Sequence, residues 1–178
     1  MLIWIHRRGQ VSGPFLFLDR DGVINRDRDD YVKRRSEYVF YPDALDALAW
    51  LRARSVQVIL VSNQSGLARG LIAQDDFMDL RAHMLDEIRR HEGDLLAEFY
   101  CPHQPDDHCR CRKPEPGLIL AAARIFHIPL ARATLIGDKT SDVEAARNAG
   151  CQGFLLQRPE APGRPASDLP TLVRKLFE

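Results

Sequence analysis

Five short apolar runs, separated by segments of helical period, leave this chain few folds to choose from. FLFL (15–18), VQVILVS (56–62), AEFYC (97–101), ATLIG (133–137) and GFLL (153–156) have the length and the apolar character of buried strands. Between the first two, DALDALAWLRAR (43–54) places Leu45, Leu48 and Ala49 on one helical face, with Asp43 as a candidate cap. DDFMDLRAHMLDEIRRHE (75–92) sets Phe77, Leu80, Met84 and Ile88 in one stripe. PGLILAAARIFH (116–127) starts with proline and continues in helix formers, and TSDVEAARNAG (140–150) runs to a glycine stop. PTLVRKLF (170–177) reads as a closing helix after a Pro/Gly-rich linker. This alternation predicts an α/β fold: a single Rossmann-like, doubly wound parallel sheet with right-handed crossovers and helices on both faces.

The chain of 178 residues suits one domain, taken as 15–178, preceded by an N-terminal extension over 1–14. That extension is open to three readings: an extra strand, a loose arm or a misassigned start. Its longest apolar run after Met1 is four residues, too short for a signal peptide or a membrane span, and no other run approaches membrane length. A soluble, cytoplasmic protein without a membrane partner is expected. Lys plus Arg and Asp plus Glu both number 25, so no global basic field draws nucleic acid to the surface.

In an open parallel sheet the ligand site lies beyond the carboxyl ends of the strands. Asp19 and Asp21 follow FLFL, Ser62 closes VQVILVS, and Asp138 follows ATLIG. Three strands therefore deliver polar groups to one edge. Two carboxylates held close repel unless a cation or a proton compensates, so the pair after FLFL asks for a metal or a reaction.

DRDG (19–22), SNQSG (62–66), RKP (112–114) and GDKTSD (137–142), in this order and at these strand ends, resemble the haloacid dehalogenase-like superfamily of phosphotransferases. The resemblance implies Asp19 as the nucleophile and Asp21 as general acid and base. It implies Ser62 and Lys113 as the groups that hold the phosphoryl oxygens. It further implies a catalytic Mg²⁺ held by the Asp19 carboxylate, the Asp21 backbone carbonyl and Asp138, with Asp142 orienting that shell. No segment between FLFL and SNQSG is long enough for a large cap domain, so loops are expected to cover an open site.

CPHQPDDHCRCRKP (101–114) sets Cys101, His103, Cys109 and Cys111 within eleven residues. A C-x-H and a C-x-C arm joined by a short loop can wrap a tetrahedral ion, so a structural Zn²⁺ is expected, stabilising a loop that has no core of its own. His108 is the spare, expected to face solvent. The loop runs directly into Arg112 and Lys113.

C-P-H-x-P with C-x-C-R-K-P narrows the resemblance to the histidinol-phosphate and heptose-bisphosphate phosphatase branch. INRD (24–27), SNQSGLARG (62–70), CRKPEPG (111–117) and GDK (137–139) are most similar to its heptose-bisphosphate members. The likeness implies a monomeric enzyme that takes a small phosphorylated sugar and removes the 7-phosphate of D-glycero-D-manno-heptose 1,7-bisphosphate. It implies substrate contacts from Asp27, Asp30, Asn63, Gln64, Ser65, Arg112 and Lys139. Val23 and Ser62 stand where threonine is usual, and DRDDY is one residue longer than the usual D-H-G-Y. The basic run Lys33, Arg34 and Arg35 is open to two readings, a contact for a second phosphate or a solvated surface. Two alternatives stay open: a histidinol-phosphate phosphatase, and a non-catalytic module that binds a phosphorylated ligand.

Overall fold

A computed structural model describes residues 1–7, 9, 11–158 and 168–178. The elements run β1 (Leu2–Ile5), β2 (Phe15–Leu18), α1 (Pro42–Ala53), β3 (Gln57–Asn63), α2 (Gln74–Arg90), β4 (Ala97–Cys101), α3 (Gly117–Phe126), β5 (Thr134–Gly137), α4 (Thr140–Ala149), β6 (Gln152–Leu155) and α5 (Leu169–Phe177). The sheet order is β1-β4-β3-β2-β5-β6. Leu16 of β2 lies between Val58 of β3 and Thr134 of β5, both parallel neighbours. From β2 the chain steps outward through β3 to β4, then returns to the other side of β2 for β5 and β6. That reversal opens a crevice at the carboxyl ends of β2 and β5, where a ligand is expected.

Alternation along the all-buried β2 divides the core in two. Leu16 and Leu18 join the cluster with α1, α2 and α5, while Phe15 and Phe17 join the one with α3 and α4. The stripe predicted on α2 is the face it buries: Phe77, Leu80, Met84 and Ile88 are each no more than 1 % exposed. The doubly wound α/β architecture with helices on both faces is as expected.

Two details differ. The sheet has a sixth strand, because Leu2–Ile5 pairs antiparallel with β4, Leu2 opposite Tyr100 and Ile5 opposite Ala97. A four-residue run carries too little periodicity to tell a strand from an arm. Trp4 decides it by packing edge-on to Tyr100, ring centroids 5.8 Å apart, and against Phe77 at 6.1 Å. Asp43 does not cap α1, whose N-cap is Tyr41, with Pro42 opening the helix. Instead its carboxylate pairs with Arg158 and accepts the Leu169 N–H at 3.2 Å, tying α5 to α1. Most of the linker expected before α5 falls in 159–167, outside the described residues.

A charge sits inside the sheet. Glu98 of β4 is fully buried and accepts hydrogen bonds from Arg81 Nη2 (2.7 Å) and Nε (3.0 Å) and from the Tyr100 hydroxyl (2.5 Å), with His6 Nε2 at 2.7 Å. Arg81 in turn lies 3.7 Å from the Trp4 ring centroid. Burial alone pushes the Glu98 carboxyl up, but the His6 and Arg81 contacts outweigh it and hold it below its ordinary value. Such a pair is costly to break from one side, because the remaining charge stays buried. Glu98→Gln is expected to lower unfolding free energy by about 3 kcal/mol or more in urea titrations at neutral pH. A depressed folded-state value contributes stability above the unfolded carboxyl value of about 4.3 and loses it as pH falls. The gap between wild type and variant should therefore narrow below about pH 4.

Candidate active site

The turn after β2 aims the acidic pair. The backbone oxygen of Arg20 accepts the N–H groups of Val23 (3.3 Å), Ile24 (2.8 Å) and Asn25 (3.3 Å), and Gly22 donates to Asn25 O at 2.7 Å. Gly22 has φ +78°, and a Cβ there would fall 2.1 Å from Asp138 Oδ2. At the end of β5, a Cβ on Gly137 would fall 2.2 Å from Asp142 Oδ2. The glycines of DRDG and GDK thus make room for two carboxylates from the next strand and helix.

Lys113 is the counter-charge. Its side chain is 2 % exposed, and the ammonium lies 2.9 Å from Asp19 Oδ1 and 2.5 Å from Asp142 Oδ1 and donates to Val61 O at 2.9 Å. Asn63 holds the lysine's backbone from both sides, accepting its N–H and donating to its C=O, each at 3.1 Å. Asp142 Oδ2 accepts the Lys139 N–H at 3.0 Å, so Asp142, rather than Asp138, Thr140 or Ser141, satisfies the start of α4.

One ammonium does not balance three carboxylates. Asp19, Asp138 and Asp142 each bring an oxygen within 4.8 Å of the others. Burial, opposed by Lys113 and reinforced by Asp142 and Asp21, raises the Asp19 carboxyl to about 6. Burial and Asp19, opposed by Lys139, raise Asp138 to about 7. Asp138 Oδ1 is buried with no hydrogen-bond partner. An all-oxygen set of this span fits a hard octahedral cation, whose opposite ligands stand about 4.2 Å apart for Mg²⁺. Burial pushes the Lys113 ammonium down, but Asp19 and Asp142 outweigh it and keep it charged.

Around this floor lies a cavity of about 460 Å³ whose lining includes Asp19, Arg20, Asp21, Asp27, Ser62, Asn63, Gln64, Ser65, Arg112, Lys113, Lys139 and Asp142. Asp30 is not in its wall: 56 % exposed, it pairs with Arg28 and Lys33, and Asp29 faces the cavity instead. Lys139 reaches across the mouth to Asp27, 2.7 Å away. Ser62 and Gln64 are buried, and Gln64 Nε2 donates to Ser62 Oγ at 3.1 Å and to Asp21 Oδ2 at 2.7 Å. Within the basic run, Lys33 pairs with Asp30 and Arg34 with Glu37, which supports the reading as a solvated surface.

Sequence reasoning overlooked Arg20, Asn25 and Tyr31. Arg20 is 2 % exposed and forks onto both Asp21 oxygens. Burial raises the Asp21 carboxyl, but Arg20, Asn25 and Gln64 overcome this and hold it below its ordinary value. The signal was available: a residue between two aspartates at a strand end points the other way, into the core, where an arginine must find a carboxylate. Tyr31, at φ +68°, places its hydroxyl 3.2 Å from Ser65 Oγ. No sequence pattern announces that contact.

The cysteine loop closes as its spacing suggests. Its sulfur–sulfur distances are 3.4 to 3.7 Å, and His103 Nδ1 lies 3.6 Å from Cys101 Sγ and 3.3 Å from Cys111 Sγ. Zinc with bonds of about 2.3 Å to sulfur needs sulfurs about 3.8 Å apart, so a small expansion is all that separates this cage from a tetrahedral site. All four cysteines of the chain are unpaired thiols, and His108 is exposed.

Comparison with known proteins gives a consistent picture. Residues 110–164 match the family described as HAD-hydrolase-like. The D-glycero-beta-D-manno-heptose-1,7-bisphosphate 7-phosphatase of Bordetella bronchiseptica is 42% identical over 142 residues, 80% of this chain and 79% of that protein. The protein of the same name in Pseudomonas aeruginosa is 37% identical over 147 residues, 83% of each. The crystal structure of D,D-heptose 1,7-bisphosphate phosphatase from B. bronchiseptica, complexed with magnesium and phosphate, superposes with a TM-score of 0.85 at 36% identity, covering 92% of this chain and 98% of that one. A putative HAD-like phosphatase from Mesorhizobium loti gives 0.80 at 32% identity, covering 99% and 95%.

The raised carboxyls set a sign that can be measured. A folded-state value above the unfolded value of about 3.9 contributes stability at low pH and loses it as pH rises through the folded value. Without Mg²⁺, and with the zinc left in place, the protein is expected to melt at lower temperature at pH 8 than at pH 5.5, and added Mg²⁺ should reverse the loss at pH 8 far more than at pH 5.5. At the second cluster, Cys109→Ser should abolish stoichiometric zinc in elemental analysis. It should also lower Tm by roughly 6–12 °C, equivalent to about 3 kcal/mol in a chain of this size.

Proposed function

This chain belongs to the heptose-bisphosphate phosphatase family of HAD-like hydrolases, and from that premise we propose that it removes the 7-phosphate from D-glycero-D-manno-heptose 1,7-bisphosphate and leaves the anomeric phosphate in place. The observation that carries the reading is the buried cluster of Asp19, Asp138 and Asp142 around the Lys113 ammonium at the reversal of strand order. A phosphate monoester is among the slowest groups to hydrolyse, so nucleophile, proton donor and charge neutralisation must act together.

An oxygen of the Asp19 carboxylate attacks phosphorus, and the bond from phosphorus to the sugar's O7 breaks. Asp21, which its donors hold ionised in the free protein, takes up a proton as the negative charge of the bound phosphate raises its value. It gives that proton to the leaving oxygen, yielding the sugar monophosphate and an aspartyl-phosphate on Asp19. A water then attacks the same phosphorus, giving its proton to Asp21. The bond to Asp19 breaks, inorganic phosphate leaves, and both aspartates return to their starting states. Lys113 and Ser62 hold the phosphoryl oxygens throughout. Bound by the Asp19 carboxylate, the Asp21 backbone carbonyl and Asp138, Mg²⁺ supplies the positive charge that lets an anionic side chain approach an anionic ester. Asp142 keeps Lys113 and the start of α4 in place. The zinc cage braces the loop that carries Arg112 and Lys113.

Arg112 and Lys139 at the cavity wall, with Asp27, Asn63, Gln64 and Ser65, form the surface for the rest of the sugar. Cations there suit a second phosphate better than the amine of histidinol phosphate, which would need an acidic or aromatic site. No described helix is long and apolar enough to cross a membrane, and a thiol-rich zinc cage suits the reducing cytoplasm.

Phosphate release from heptose 1,7-bisphosphate, fructose 1,6-bisphosphate and histidinol phosphate, with Mg²⁺, tests the proposal. The heptose ester should have the highest kcat/KM by at least about tenfold. Preference for histidinol phosphate would overturn the substrate, and no release from any phosphate ester would overturn the enzyme. Asp19→Asn should lower kcat by on the order of 10³-fold or more, and Asp21→Asn by about 10²–10⁴-fold. Wild-type turnover in either variant removes the role assigned to it.

A further inference from the structure

Arg20 takes no part in these steps, yet it is a charge placed almost out of reach of solvent directly between the two aspartates that do. Its Nε and Nη2 donate to Asp21 Oδ1 at 3.1 and 2.9 Å, and Nη2 donates to Oδ2 at 2.9 Å. Asn25 Nδ2 adds a third donor to Oδ1 at 2.9 Å. Gln64 closes the figure, accepting from Arg20 Nη2 at 3.0 Å and donating to Asp21 Oδ2 at 2.7 Å. The same Gln64 Nε2 donates to Ser62 Oγ at 3.1 Å. Both oxygens of Asp21 are therefore pinned, while its side chain stays 15 % exposed to the cavity.

We propose that Arg20, acting with Gln64, is the positioning residue for the proton-transferring carboxylate: the chain Arg20–Gln64–Ser62 fixes Asp21 relative to the hydroxyl that holds the phosphoryl group. The inference rests on Asp21 as the proton donor, and not on which sugar is the substrate. Three features support it. Arg20 is 2 % exposed at the cavity wall, and among the described residues its side-chain hydrogen bonds all go to Asp21 and Gln64, so it acts through those partners. Its planar fork matches a carboxylate at two points, which an ammonium cannot reproduce. Its backbone oxygen also closes the turn that carries Asp21, so main chain and side chain fix the same residue. A group that must give a proton to one oxygen and later take one from a water near the same point gains most from such restraint, since misplacement by about 1 Å costs on the order of 10²-fold.

Arg20→Lys keeps the charge and loses the fork, and Gln64→Leu cuts the link to Ser62 without changing any charge. Each is compared with wild type in single-turnover cleavage of heptose 1,7-bisphosphate, whose leaving alcohol needs a proton, and of p-nitrophenyl phosphate, whose phenolate leaves without one. Following the first turnover isolates this step from hydrolysis of the aspartyl-phosphate. For Arg20→Lys the alkyl ester is expected to slow by roughly 10²-fold at saturation with KM within about threefold, and nitrophenolate release by less than about fivefold. For Gln64→Leu, a change in the cavity wall, the ratio of alkyl to aryl cleavage at saturation is read and should fall by at least about tenfold. Equal losses on the two esters, a loss confined to KM, or wild-type cleavage of the alkyl ester by folded variants would each overturn the proposal. Should Arg20→Lys fail to give a cooperative melt, Gln64→Leu carries the same comparison alone. If wild type cleaves the aryl ester but not the heptose ester, the sugar assignment falls, and the Arg20 comparison is read on glycerol 2-phosphate as the alkyl ester.

Discussion

The ammonium of Lys113, shared between Asp19 and Asp142 beneath the cavity floor, is the contact on which the rest of the site depends. Its three partners come from three directions: the turn after β2, the first turn of α4 and the backbone of β3 at Val61. A buried ammonium without these partners would be expelled or neutralised, and the carboxylates without it would repel each other. The lysine cannot wander, because Asn63 grips its backbone and the cysteine cage fixes the loop just before it. The cysteine cage and the floor of the cavity are thus consecutive parts of one support.

Two aspartates only two positions apart are driven in opposite directions. Asp19 faces other carboxylates in a buried setting and is raised, whereas Asp21 faces a guanidinium and two side-chain amides and is lowered. Residue type does not separate them; their neighbours do. The excess negative charge near Asp19 and Asp138 is a reserve that a divalent ion can discharge, which makes cation binding favourable at neutral pH and weak in acid.

Above the floor, the segment between β2 and α1 takes the place of a cap. It is held by local contacts: Asn25 bridges both Asp21 and Phe40, and Tyr31 leans on Ser65 with a backbone conformation rare for a large residue. Such a conformation costs on the order of 1–3 kcal/mol and persists only where the surroundings enforce it. A short wall of this kind leaves the mouth open to a small phosphorylated sugar and places its recognition in a few side chains. The Asp27–Lys139 pair spans that mouth, and both partners are accessible to an incoming ligand.

The amino-acid sequence by itself determined the alternation of strands and helices, the strand ends at which Asp19, Ser62 and Asp138 emerge, and the cysteine cage, because strand period, helix period and metal-ligand spacing are all local. The glycines of DRDG and GDK were legible as motif letters, but their reason, room for Asp138 and Asp142, appears only when β2 and β5 lie side by side. Tertiary structure alone decided that Leu2–Ile5 is a strand, that Asp43 anchors α5 instead of capping α1, that Asp29 and not Asp30 faces the cavity, and that Gln64 joins Arg20 on Asp21. Each of those outcomes is a contact between residues distant in the chain or a choice of direction around a turn, and neither leaves a period for the sequence to display.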